Sequence, residues 1–264
     1  MTVQIDPRAV VGSKAQLGTG VVVSPFAVIE DDVVIGDGTW VGPHAVIFNG
    51  ARVGKDCKIF PGASISAPPQ DLKYKGERTE LHVGDRSVIR ECATLNRGTA
   101  ESGKSVVGSD CLLMAYAHVA HDCVVGHHTI LANCVALGGH VTLGDYVIIG
   151  GLSAVHQFDM VGDHAMIGGG CRISKDVPPY VLAGQTPLSF EKVNTVGLRR
   201  RGFSDKAIHL LEETYRLIYR SDLNVSQAVE RIKSDIELIP EVVKVLEFIH
   251  ASKRGIIADS LRRA

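Results

Sequence analysis

No stretch of this chain approaches the roughly 18 consecutive apolar residues of a membrane span, so insertion into a membrane is not expected. The N-terminus, MTVQIDPRAV, lacks a basic n-region and an apolar h-region, and no export signal is expected. A charge surplus is missing too. The 28 Lys and Arg stand against 29 Asp and Glu, which argues against a general nucleic-acid surface. None of the six cysteines (Cys57, Cys92, Cys111, Cys123, Cys134, Cys171) belongs to a CxxC, which argues against a zinc ribbon or a redox dithiol. Scattered thiols of this kind fit a reducing, cytoplasmic compartment.

What the sequence does have is a period of six. Every sixth residue from Ile5 to Ile65 is Ile, Val or Leu. The series resumes at Val83, Ile89 and Leu95, and runs again from Val107 to Ile173, giving 26 hexads. Gly often follows the aliphatic, as at Gly12, Gly36, Gly54 and Gly126. A small residue often sits four places after it, as at Ala27, Ala45 and Ala63, and Cys57, Cys111, Cys123 and Cys171 share that slot. These four thiols read as packing groups. A period of six fits neither a helix nor a plain strand. It is the mark of a parallel β-helix, in which three hexads close one coil of about 18 residues. The chain then has about nine coils with the aliphatics stacked inside.

Two polar stretches interrupt the hexads, at 66–80 and at 96–106. Insertions leave a solenoid at its corners, and their length and charge mark them as functional loops. The repeat ends near SKDVPPY (174–180), where Pro178 and Pro179 break the ladder. Beyond it the periodicity turns helical. Ser204 is an N-cap ahead of Ile208, Leu211, Tyr215 and Ile218; further helices start at Asn224 and Pro240. The expected organisation is a mainly β hexapeptide-repeat β-helix over 1–185 and a small α-helical C-terminal domain over 186–264.

The stretch HVAHDCVVGHH (118–128) packs four histidines into eleven residues. In a coil of about 18 residues, positions that far apart lie above one another. His121 and His140 are 19 apart and His140 and His156 are 16 apart, so the three form a rough column with His118 beside it. A base needs a neutral imidazole oriented by a second group, and Asp122 is adjacent. A zinc site needs three imidazoles about 2.1 Å from one ion. His118 and His121 have only His82 upstream as a third candidate, and no metal is expected. His127 and His128 read as solvated corner residues, as do His44, His82, His164, His209 and His250.

The sequence resembles the UDP-N-acetylglucosamine O-acyltransferases. The likeness rests on QDLKY (70–74), IRECATLNRGT (89–99), VGSDCLLMAYAHVAHDCVVG (107–126), GGHVTLGDYVIIGG (138–151), AVHQF (154–158), DVPPYV (176–181) and LRRRGFS (198–204). It covers nearly the whole chain. It implies a left-handed β-helix, a homotrimer with sites between subunits, and no cofactor. The implied reaction moves an (R)-3-hydroxyacyl chain from acyl carrier protein to the 3-hydroxyl of UDP-N-acetylglucosamine, the first step of lipid A synthesis. By the same resemblance His121 is the general base, Asp122 its orienting carboxylate and Gly139 the oxyanion N–H. Gln70, Asp71 and Lys73 would hold the sugar nucleotide. His118, His140, His156 and Gln157 would line the sugar and acyl pocket. Asn194, Arg200 and Arg201 would face the nucleotide and the carrier, and Arg suits phosphate groups by its forked donors. Gly169 would be the acyl-length ruler, and a glycine there points to chains of roughly C14 or longer.

Val196 stands where known members carry a carboxylate near the ribose, and Pro187 where they carry a His, so nucleotide contacts are expected to be rebuilt. Asn96 replaces a His of some relatives without touching a catalytic step. The sister N-acyltransferase of the same pathway has an additional N-terminal uridine-binding domain, for which hexads starting at Ile5 leave no room. A hexapeptide-repeat carbonic anhydrase would need bound zinc, with H-x4-H pairing in place of the H-x2-H found here.

Overall fold

In the computed structural model, which describes residues 2–259, the hexads coil into a left-handed parallel β-helix. Each hexad contributes a strand of mostly two residues, and successive strands go in turn to three walls: sheet A (from Gln4–Ile5 and Val22–Val23), sheet B (from Val10–Val11 and Val28–Ile29) and sheet C (from Gln16–Leu17 and Val34–Ile35). Neighbours within a wall are parallel and 18 residues apart, as in Leu113↔Leu131↔Ile149. The step widens to 30 between Ile65 and Leu95 and to 24 between Val83 and Val107, which marks the two insertions. Both leave at the edge between sheets B and C. Their irregular parts are shorter than the sequence implied, because strands Ser64–Ala67, Glu80–Val83, Thr94–Asn96 and Lys104–Val107 extend into them.

The stacked aliphatics are the core. From Val23 to Ile173 each hexad residue is at most 4% exposed, whereas Ile5, on the first coil, is 48% exposed because no coil lies beneath it. Fully burying one such side chain is worth roughly 1.5–3 kcal/mol, and only stacking makes that burial available. The cysteines in the small-residue slot are buried and unbridged. Burial pushes the Cys111 thiol up to about 11 and the Cys123 thiol to about 12, so both are inert packing groups.

Most corners carry one residue with a positive φ. Asp122, His140 and Phe158 occupy this position on three successive coils at the B/C edge, with φ of 59°, 62° and 67°. Non-glycine residues adopt this region at a cost, which stacking from coil to coil offsets here.

Sheet A does not stop at the prolines. Strand Val181–Gly184 still pairs with Met166–Ile167, then turns into an antiparallel hairpin with Ser189–Val193. Four helices follow: α1 (Thr195–Arg200), α2 (Asp205–Tyr219), α3 (Val225–Asp235) and α4 (Pro240–Ala251). Ser204 caps α2, Asn224 caps α3 in a capping box, and Pro240 opens α4, each where the sequence placed a helix start. Hairpin and α1 were not anticipated. No helix among the described residues is long and apolar enough to cross a membrane.

Candidate active site

The B/C edge gathers the chemistry. Its corner residues form three adjacent files, because each coil adds 18 residues. Ala120 lies beneath Gly138 and His156; His121 beneath Gly139 and Gln157; Asp122 beneath His140 and Phe158. The single column of His121, His140 and His156 expected from the sequence is therefore three neighbouring files. The spacing of 19 is one residue longer than the 18-residue step between coils and that of 16 is two shorter, which shifts each residue to a different file.

The histidine cluster survives this correction in part. His121 and His140 meet edge to face, with ring centroids 5.2 Å apart. His140 stacks on Phe158 at 4.4 Å. His156 instead turns its Nδ1–H to the carbonyl of Gln157 at 3.0 Å. His118, on the outer face of sheet B, pairs its Nδ1 with Thr94 Oγ at 2.7 Å. Burial, and then the neighbouring His121, holds the His118 imidazole below its ordinary pKa and favours the neutral ring.

Asp122 is the anchor. Its side chain is wholly buried, beside a half-buried His121. Burial pushes its carboxyl up, but hydrogen bonds from Ser102, His121 and Thr99 outweigh this and hold it at about 2. An ionised carboxylate can only accept, so His121 donates Nδ1–H to Oδ2 at 2.8 Å. That fixes the tautomer and leaves Nε2 as the basic nitrogen of the neutral ring.

The ring lies flat against Gly139. A Cβ at residue 139 would fall 2.6 Å from Cε1 and 2.8 Å from Nε2 of His121, so a side chain there would displace the imidazole. The Gly139 N–H donates to no acceptor among the described residues. A basic nitrogen thus sits beside an unused backbone donor, the pair that an acyl transfer needs at its nucleophile and its oxyanion. His121, Asp122 and His140 also offer ligand atoms within 4.8 Å of one another. A cation there would have to compete for Asp122, both of whose oxygens already accept hydrogen bonds.

The chain as a whole is similar to known proteins. A family model described as UDP N-acetylglucosamine O-acyltransferase, domain 2, matches residues 176–257, and one for bacterial transferase hexapeptides matches 104–139. The chain is 56% identical over 252 residues to the acyl-[acyl-carrier-protein]--UDP-N-acetylglucosamine O-acyltransferase of Chlorobaculum parvum, covering 95% of this chain and 96% of that one. The chain belongs to the UDP-N-acetylglucosamine O-acyltransferase family. The solved UDP-N-acetylglucosamine acyltransferase of Bacteroides fragilis superposes with a TM-score of 0.95 at 44% identity, covering 96% of this chain and all of that one. That of Francisella novicida gives 0.94 at 37% identity, covering 99% of each.

The other residues expected at an O-acyltransferase site fall in three places. Gln70, Asp71 and Lys73 lie in the first loop, on the B/C edge below His121. Asp71 accepts the Lys73 N–H at 3.0 Å, while the side chain of Leu72 is fully exposed. Gly169 lies at the edge between sheets A and B, where an added Cβ would come closest to the carbonyl of Gly151, at 3.1 Å, and otherwise meet only backbone at 3.7 Å or beyond.

Asn194 and Arg201 lie on the third edge, between sheets C and A. Asn194 caps α1 and donates to the His164 carbonyl at 3.0 Å. The Arg201 guanidinium covers the Tyr146 ring at 5.1 Å. Arg200 is exposed beside it. His164 is not the solvated residue expected. It stacks between Tyr146 and Tyr180, its Nδ1 is buried without a hydrogen-bond partner, and burial followed by Arg201 pulls its pKa down to about 4. His128 does remain exposed, stacked on Tyr146. Within one chain, then, His121 and Arg201 occupy different edges of the prism.

Sequence reasoning missed Thr99, Ser102 and Phe158. Phe158 could have been found by stepping 18 residues from His140. Nothing in the sequence marks Thr99 and Ser102 as partners of Asp122, since the contact depends on how the second loop folds back.

Proposed function

We propose that the protein transfers an (R)-3-hydroxyacyl chain from acyl carrier protein to the 3-hydroxyl of UDP-N-acetylglucosamine by direct attack on the thioester. The reading rests on one observation: the His121 imidazole, its Nε2 freed by the Nδ1 bond to Asp122, packs against Gly139, whose own N–H is unused. His121 takes the proton of the sugar hydroxyl, and the oxygen attacks the thioester carbonyl. Negative charge develops on the carbonyl oxygen, where Gly139 N–H donates. Collapse expels the thiol of the carrier's prosthetic arm, which leaves with the proton held by His121.

The acyl chain would run from His121 across the outer face of sheet B. There His118 is followed by Ala136 and Ala154 in register, a floor of small residues leading to Gly151 and Gly169. The outer face of sheet A carries Leu112, Ile130, Ile148 and Met166, and the A/B edge carries the exposed Phe26, Tyr116 and Leu152. In a homotrimer with the A/B edges at the axis, sheet A of one subunit covers sheet B of the next. The C/A edge of one subunit, with Asn194, Arg200 and Arg201, then faces the B/C edge of its neighbour. A complete site would be shared between two copies, with the enzyme working in the cytoplasm where both substrates occur.

The test is acyl transfer to UDP-N-acetylglucosamine from (R)-3-hydroxyacyl carrier proteins of C10 to C16. Wild type should show turnover with a long-chain optimum, and His121→Ala should lose about 10²–10⁴-fold. Full activity in the variant would refute the base. Turnover only with a 3-amino sugar nucleotide would move the acceptor from oxygen to nitrogen.

A further inference from the structure

The second insertion folds back over the catalytic edge instead of projecting from it. Its neck closes where Gly98 meets Lys104, so tightly that a Cβ on Gly98 would lie 2.4 Å from the Lys104 nitrogen. Gly103 N–H bonds to the Thr99 carbonyl at 2.8 Å and shuts the loop. This brings two hydroxyls onto Asp122. Oδ1 accepts the backbone N–H of Thr99 at 2.9 Å and the hydroxyl of Ser102. Oδ2 accepts the Thr99 hydroxyl at 2.7 Å and the His121 Nδ1–H at 2.8 Å.

The proton accounting is definite. Thr99 Oγ accepts from the Glu101 N–H at 3.2 Å, which leaves its own proton for Asp122. The single Ser102 proton lies between Asp122 and the Lys104 carbonyl, and the ionised carboxylate is the stronger acceptor. The two oxygens therefore differ in task. Oδ1 is pinned entirely by the loop. Oδ2 is divided between the loop and the histidine.

We propose that Thr99 and Ser102 are positioning residues for the acyl transfer, Ser102 fixing the orientation of Asp122 and Thr99 limiting how strongly Asp122 draws on the His121 imidazole. The proposal rests on the reading of His121 as the base. Other titratable groups face the pair: His118 on sheet B, His140 above Asp122, Cys123 behind it, and Glu101, whose carboxylate lies 3.6 Å from His140 Nε2. Of these, Glu101 alone is tied to a substituted residue, through its backbone N–H on Thr99 Oγ, a bond that Thr99→Val removes and Thr99→Ser keeps.

Ser102→Ala frees Oδ1 on one side and lets the carboxylate swing. It should lower kcat about tenfold and leave KM for the sugar nucleotide unchanged. Thr99→Val keeps the backbone N–H on Oδ1 but leaves His121 as the one hydrogen-bond donor on Oδ2, with His140 Nε2 3.6 Å away. A more basic Oδ2 favours the imidazolium, so the acid limb of the kcat/KM profile should rise by about half a pH unit, and Thr99→Ser should restore it.

Thermal unfolding of each variant reports folding. Thr99→Ser and Ser102→Thr, which keep their donors, supply the comparison should the deletions prove unstable. If His121→Ala is inactive while Thr99→Val and Ser102→Ala keep wild-type kcat and pH profile, the positioning role is overturned. If His121→Ala is itself active, the base reading fails and takes the positioning role with it. A kcat loss in Ser102→Ala together with a raised acid limb in Thr99→Val supports the proposal, because a purely structural loop would not move the pH profile.

Discussion

The imidazole of His121 lies against Gly139 so closely that a Cβ on residue 139 would come within 2.6 Å of its Cε1. Glycine is required here by the approach of a side chain, not by its own backbone angles. Gly139→Ala should push the ring away from its place beside the residue 139 N–H. A displacement of about 1 Å between reacting groups can cost about 10²-fold, and that loss is expected in kcat/KM, with little change in melting temperature. Steady-state kinetics beside a thermal melt checks this. An alanine variant with wild-type turnover would show that the ring has freedom to relax.

Asp122 should also leave a mark on acid stability. Its pKa is held at about 2 in the folded protein, against an ordinary 3.8. A folded-state value below the unfolded one favours the folded protein wherever the group is ionised. The contribution is complete above about pH 4 to 5 and is lost as pH falls through about 2. A displacement of this size is worth about 2 kcal/mol. Asp122→Asn should therefore be less stable than wild type at pH 7, with the gap closing toward pH 2. Urea unfolding at fixed protein concentration across pH 2–7 measures it, and a gap independent of pH would contradict the assignment.

The β-helix was legible because its cause is repetitive. One aliphatic every six residues is a constraint imposed 26 times, and no single exception can hide it. The helix starts at Ser204, Asn224 and Pro240 were legible for a local reason, since a cap acts within one turn. The histidine files were only half legible. Periodicity placed His121 near His140, but a one-residue error moves a side chain to another file, and His156 was misplaced for that reason. Thr99 and Ser102 were illegible because they reach Asp122 through a loop whose fold-back has no periodicity. His164 looked like any other corner histidine until the α1 segment brought Arg201 onto its neighbour Tyr146.

Gly169 invites a test of chain length. An added Cβ would press most closely on the Gly151 carbonyl, at 3.1 Å, and meet no core side chain, so a longer side chain there projects from the A/B edge. Gly169→Met would then block the far end of the floor formed by Ala136 and Ala154. Each methylene that no longer finds cover loses about 0.8 kcal/mol, roughly fourfold in affinity. Selectivity across C10 to C16 donors should move to shorter chains while the fold stays intact. Unchanged selectivity would place the end of the acyl groove elsewhere.

Separation of His121 and Arg201 on different edges gives the sharpest test of a shared site. Neither residue can reach the other within one chain, because sheet C lies between their edges. If each site combines His121 of one copy with Arg201 of the next, His121→Ala and Arg201→Ala should each be nearly inactive alone. Mixed trimers should recover activity, since some sites then draw both residues intact from different copies. Co-expression with distinguishable tags isolates those trimers. A trimer with one His121→Ala copy and two Arg201→Ala copies has at most one complete site, and so does the reverse composition. Turnover should therefore approach one third of wild type. Turnover at the level of the single variants would mean that both residues serve a site within one chain, which the geometry of the prism opposes.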